Sequence, residues 1–169
     1  MIYFDILCAF GGDYGFDVVS KIYQILHGIN SNNDEKFALD FKKHDDGFVF
    51  RVFSQNDNHH LKHVKNELSK NRFVGDYVIK MGRIRKCPAT KLFVENRRRK
   101  IPKKQAKDRE RRLEYCKTLL HFKMNSKSNG HKYAVYSDTS FTESPIANVF
   151  ESNYGLSTAH NTFTVPLFL

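Results

Sequence analysis

The chain has 169 residues and a formal net charge of +10, with 15 Phe, 8 Tyr and 40% hydrophobic residues, too apolar for an intrinsically disordered protein. No apolar run approaches the ~18 residues of a transmembrane helix. Residues 80–117 hold 16 Lys and Arg against 4 Asp and Glu, so the excess positive charge is confined to one segment, a pattern that points to a polyanionic partner, nucleic acid before membrane.

In chain order, "IYFDILCA" reads as a strand rather than a signal peptide, since Asp5 interrupts it and no basic stretch precedes it. "DVVSKIYQILHG" has apolar residues at Val18, Val19, Ile22, Ile25, Leu26 and Ile29, a helical period, with Gly28 placed to cap the helix. "NSNND" is a polar loop. "KFALDFKK" and "FVFRVFS" are strands joined by a turn at "HDDG". "DNHHLKHVKNELSKN" places Leu61, Val64 and Leu68 on one helical face, and "DYVIKMGRIR" is a fourth strand. The expected fold is α+β: a β-α-β-β-α-β, ferredoxin-like half over 1–86, then a smaller α/β half over 87–169 that carries an arginine-rich helix.

Residues 86–96 read as a connection. "NRRRK", with Arg97, Arg98 and Arg99, reads as an extended cationic lead-in that touches backbone phosphates. Pro102 suits the first turn of a helix that runs to about Leu120. On that helix Lys104, Lys107 and Arg111 share one face, and Ala106, Leu113, Cys116 and Leu120 share the opposite one. The cationic face suits RNA phosphates, and Gln105 within it is a candidate reader of base edges. "KYAVYS" is a strand, and the apolar C-terminus is expected to end inside a sheet.

The candidate chemistry is spread along the chain. His59, His60 and His63 offer an i, i+4 pair, but no completing ligand stands at a motif spacing, so a solvated helix face is expected. Cys8, Cys87 and Cys116 form no metal-type pair and suit a reduced, cytoplasmic protein. His27 at the end of the first helix is either a capping histidine or a proton donor and acceptor near neutral pH. Ser126 and Ser128 in "NSKSNG" read as an ordinary turn, and Tyr154 in "NYGLS" as an aromatic before a turn glycine.

Taken in order, "ILHGIN", "KKQAK" leading into "DRERR", "SKSNGHKY", and "YGLS" followed by "FTVPLF" resemble the CRISPR-associated repeat-processing endoribonucleases of type I-F systems, the Csy4-like family. The resemblance implies a metal-independent endoribonuclease that cuts the repeat hairpin of precursor guide RNA, leaving a 2′,3′-cyclic phosphate and a 5′-OH. It implies His27 as general acid or base, Ser126 as the holder of the ribose 2′-OH, and Tyr154 as the residue that orients the histidine. Lys103 and Gln105 would read bases, Lys103 standing where the family usually has arginine. Lys104, Lys107, Arg111, Arg112 and Ser128 would lie along the RNA, and Tyr133 would stack on the terminal base pair. The implied partners are the repeat hairpin and the other subunits of the type I-F surveillance complex, with no cofactor, metal or membrane. The competing readings are a non-catalytic RNA-binding protein of ribosomal or RRM-like type and, behind it, a DNA-binding regulator.

Overall fold

The computed structural model describes residues 1–10, 15–45, 47–55, 58–100, 108–126 and 129–168. They form a mixed α+β fold with two antiparallel sheets and four helices. The first sheet contains β1 (Ile2–Cys8), β2 (Ala38–His44), β3 (Gly47–Ser54), β4 (Val78–Met81) and β5 (Arg85–Lys86) in the order β2-β3-β1-β4, with β5 also pairing with β1. The second contains β6 (Phe93–Arg99), β7 (Leu120–Asn125), β8 (Lys132–Thr142) and β9 (Val165–Pro166) in the order β7-β8-β6-β9. The helices are α1 (Gly15–Asn32), α2 (Asn58–Ser69), α3 (Arg72–Tyr77) and α4 (Arg109–Thr118).

Strand alternation decides what each face of the first sheet covers. On β1, Phe4, Ile6 and Cys8 face the helices, and their register partners Val52, Phe50 and Phe48 share that face. Val19, Ile22, Tyr23 and Leu26 of α1 and Leu61, Val64 and Leu68 of α2 close over them. The same core takes in Phe122 and Met124 of β7, Val135 of β8 and Leu156, so the second sheet packs against α1. On the opposite face Ala38 and Phe53 meet Val94, Phe150, Phe163 and Val165, with Tyr3 of β1 and Phe168 packed against this second cluster.

Four expectations need correction. Helix α1 does not stop at Gly28 but continues to Asn32. Its last turn is held by Asn30, which is buried, donates to the Phe37 and Ser152 carbonyls and accepts from the Phe37 N–H. The stretch 86–96 is more than a connection, because it contains most of β6, an interior strand of the second sheet. The arginine-rich helix has little of the expected apolar face: Cys116 is the one buried residue of α4, and Leu120 opens β7. Of the three neighbouring histidines, His59 and His63 are exposed but His60 is buried, its Nδ1 lying 3.0 Å from Ser54 Oγ and 3.6 Å from Glu35.

Candidate active site

One face of α1 builds the site. Tyr23, His27 and Asn30 follow one another at i, i+4 and i+7, and all three grip the loop 152–154. The Tyr23 hydroxyl donates to the Tyr154 carbonyl at 3.0 Å, and Asn30 Nδ2 donates to the Ser152 carbonyl at 3.0 Å. His27 Nδ1 lies 2.9 Å from the Asn153 carbonyl oxygen. A carbonyl only accepts, so Nδ1 carries the proton, and Nε2 holds the lone pair of the neutral ring.

Gly155 completes the loop. Its φ is +66°, in the left-handed region, and a Cβ there would meet Leu39 Cγ at 2.8 Å. The glycine thus brings the backbone against β2, where the Leu39 N–H donates to its carbonyl at 2.8 Å. The turn sets Tyr154 so that its ring stacks on His27, with centroids 4.3 Å apart and planes 11° off parallel. The Arg98 guanidinium lies 3.7 Å from the centre of the same ring. Two groups at such distances cannot share one face of a ring, so Tyr154 is sandwiched between His27 and Arg98.

Strand β7 supplies the opposite wall. Phe122 stacks on Tyr23, with centroids 4.0 Å apart, and Gln24 Nε2 donates to the Asn125 carbonyl at 3.1 Å. These contacts fix the end of β7 beside α1. Ser126 follows directly, its N–H donating to the His131 carbonyl at 2.9 Å. His27, Ser31, Asn125, Ser126 and Tyr133 line one cleft of about 300 Å³. A longer trough of about 590 Å³ along α1 and β7 shares Gln24, Asn125 and Tyr133 with it. Tyr133 is half-buried in the cleft wall, not set out as an exposed platform. Burial, with a hydrogen bond to the Tyr154 side chain, pushes its phenol up to about 12 against the opposing charge of Arg98. Tyr133 therefore remains a proton-bearing hydroxyl throughout the neutral range.

The basic residues divide by what already holds them. Arg97 pairs with buried Glu95 at 2.8 Å, and Glu95 also accepts from Ser157. Arg99 pairs with Asp138 at 2.6 Å. Arg111 and Arg112 are exposed on α4, Arg111 lying 3.6 Å from Asp108. Arg98, Arg99, Lys100 and Arg112 line a cationic cleft of about 570 Å³ with His160, reaching from the back of the Tyr154 sandwich to α4. Lys103, Lys104, Gln105, Lys107 and Ser128 lie outside the described residues, as does the expected helix start at Pro102.

Of the proposed catalytic residues, His27 and Ser126 thus line one cleft, with Tyr154 stacked on His27. Neither the clamp of Arg98 on the ring nor the Asn153 carbonyl as acceptor for Nδ1 is evident from the sequence. No local spacing could reveal the second of these, which joins residues 126 positions apart. Among the described residues, no group of three His, Cys, Asp or Glu side chains is placed to hold a metal ion, and no helix is long and apolar enough to cross a membrane. Compared with known proteins, the chain matches no family model and no curated sequence.

Proposed function

We propose that the protein is an endoribonuclease that cuts RNA hairpins through the RNA's own 2′-OH, in the manner of the type I-F repeat-processing enzymes. The observation that carries this reading is the joint placement of an oriented histidine and a serine in one cleft, beside a cationic surface. The strand order β2-β3-β1-β4, all antiparallel, supports a ferredoxin-like arrangement of the first half.

In this mechanism Ser126 holds the 2′-OH, and His27 Nε2 accepts its proton as the oxygen attacks the adjacent phosphorus. The bond to the 5′-oxygen breaks as that oxygen takes a proton, from the His27 imidazolium so formed or from water, leaving a 2′,3′-cyclic phosphate and a 5′-OH. Alignment of the nucleophile contributes effective molarity, and proton transfer contributes ~10²–10⁴-fold. The chemistry needs no metal, because substrate and side chains supply nucleophile and proton carrier. Arg98, Arg99 and Arg112, with Arg111 on the exposed face of α4, hold the phosphates, and the proposed setting is the cytoplasm, with the repeat hairpin retained alongside surveillance-complex subunits.

The test is a repeat hairpin incubated with the protein in EDTA, beside a copy with one 2′-deoxy at the cleavage position. Only the first is cut if the mechanism holds. Cutting of both, or dependence on Mg²⁺, overturns it, and failure to cut any hairpin favours an RNA-binding protein without catalysis. His27→Ala stops cleavage while leaving hairpin affinity within about twofold.

A further inference from the structure

The basic segment begins well before α4, and its first cations lie on the far side of the first sheet. Tyr3, Asp5 and Leu7 alternate with core-facing Phe4, Ile6 and Cys8, so they face away from α1 and α2. Antiparallel partners share a face, and the register sets Lys80 opposite Leu7 and Arg85 opposite Tyr3. Between them Gly82 lies against Asp5, its N–H donating to the Asp5 carbonyl at 2.7 Å. The φ of Gly82 is not positive, so no backbone demand requires a glycine there. A Cβ there would lie 3.4 Å from the Asp5 backbone N and O. Gly82, Lys80, Arg83 and Arg85 line a notch of about 200 Å³ with Tyr3, Asp5 and Leu7.

Among the described residues, no acid is free to compensate the charge of this notch. Asp5, the one acid in its wall, is held by Arg51 through two hydrogen bonds of 2.7 and 3.1 Å. Among the described residues Lys80, Arg83 and Arg85 form no ion pair. Arg83 and Arg85 are two positions apart, about 6–7 Å along an extended chain, and Lys80 stands three positions before Arg83 on β4. An anionic partner with one charge per repeating unit fits such a row, and the narrow gap admits a phosphodiester with its sugar.

We propose that this notch is a second RNA site, which binds the phosphodiester backbone of a single strand flanking the hairpin. That the ligand is RNA rests on the endoribonuclease reading; that it is an anionic chain rests on the notch alone. Because α1 and the notch lie on opposite faces of the first sheet, a strand that uses both sites passes around the sheet's β4 edge.

The test is fluorescence anisotropy with a labelled oligouridine octamer, which has no hairpin, in a KCl series. Lys80→Glu/Arg83→Glu/Arg85→Glu should weaken octamer binding at least tenfold and lower the salt slope by about two, since each phosphate neutralised on a single strand contributes ~0.7 to that slope. The triple Gln variant should show the same direction with a smaller effect, and circular dichroism checks that both are folded. Cleavage of a hairpin without flanks should stay within about twofold of wild type. Unchanged octamer affinity and slope in folded variants overturn the proposal, as does equal displacement of the octamer by an oligoglutamate of the same charge. If the wild-type protein cuts no hairpin, the catalytic reading fails and the octamer measurement still decides the notch.

Discussion

Tyr154→Leu removes the ring that His27 and Arg98 clasp while leaving its loop anchored, because Tyr23 and Asn30 hold that loop through backbone carbonyls. An aromatic pair at this spacing contributes ~0.5–1.5 kcal/mol beyond its area, and a guanidinium over a ring contributes ~0.5–2 kcal/mol. If that restraint keeps the imidazole aligned in the transition state, its removal, at about 1–3 kcal/mol, slows cleavage ~5- to 150-fold. Tyr154→Phe keeps both faces and gives up only the hydroxyl bonded to Tyr133, worth ~0.5–1.5 kcal/mol, so it should slow cleavage less than ~10-fold. Single-turnover cleavage of a saturating hairpin at pH 7.5 measures both. The order wild type, Phe, Leu is expected, with hairpin affinity changing less than about threefold. A Leu variant that cuts as fast as wild type, or equal slowing in Phe and Leu, refutes the ring as the aligning element.

Gly155→Ala should cost ~1–3 kcal/mol of folding stability, since a non-glycine residue must then hold a left-handed φ with its Cβ against Leu39; a thermal midpoint within a degree of wild type would contradict this. Asp40 is buried on β2, and burial raises its carboxyl pKa against the lowering hydrogen bond from Asn96. Its folded-state pKa therefore lies above the unfolded one, so its favourable contribution is complete below the unfolded value and is lost as pH rises through the folded value. Asp40→Asn should accordingly gain in relative stability from pH 4 towards pH 8, read from urea midpoints across that range; an advantage that shrinks with rising pH has the wrong sign. Cys8 is fully buried and its thiol is pushed up to about 12, so a disulfide reagent at pH 8 should modify it only as fast as the protein opens, and rapid labelling of the native protein would contradict the packing.

The first half is readable because its signals are local. Phe4, Ile6 and Cys8 alternate along β1, and Leu61, Val64 and Leu68 recur at helical spacing, so pattern and burial coincide. The strand β7 carries equally clear alternation in Leu120, Phe122 and Met124, but a helical reading of the basic segment runs over its start. In β6 three consecutive arginines hide a strand, since their charges are accommodated by groups that only the fold brings near, Asp138 for Arg99 and the Tyr154 ring for Arg98. Helix α3 is short and is begun by Asn71, whose side chain accepts from the Phe73 N–H. In the site, His27 is offered by its place at the helix end, as a cap or a proton carrier, whereas Ser126 and Tyr154 are suggested only by resemblance to motifs of known enzymes. Their meeting depends on α1 packing against β7 and on the Gly155 turn, neither of which leaves a periodic trace.

The stack of Tyr23 on Phe122 has a bearing on how variants of this protein will behave. It sits at the seam where α1 meets the second sheet, behind the cleft, and neither ring is among the residues lining that cleft. Truncating a buried phenylalanine costs ~3–5 kcal/mol, and here it loosens the junction that carries histidine on one side and serine on the other. In a screen for impaired cleavage, such a change would be scored among the catalytic residues. Partial proteolysis separates the two classes: a seam variant becomes an easier protease target, whereas a His27 variant stays as resistant as the parent.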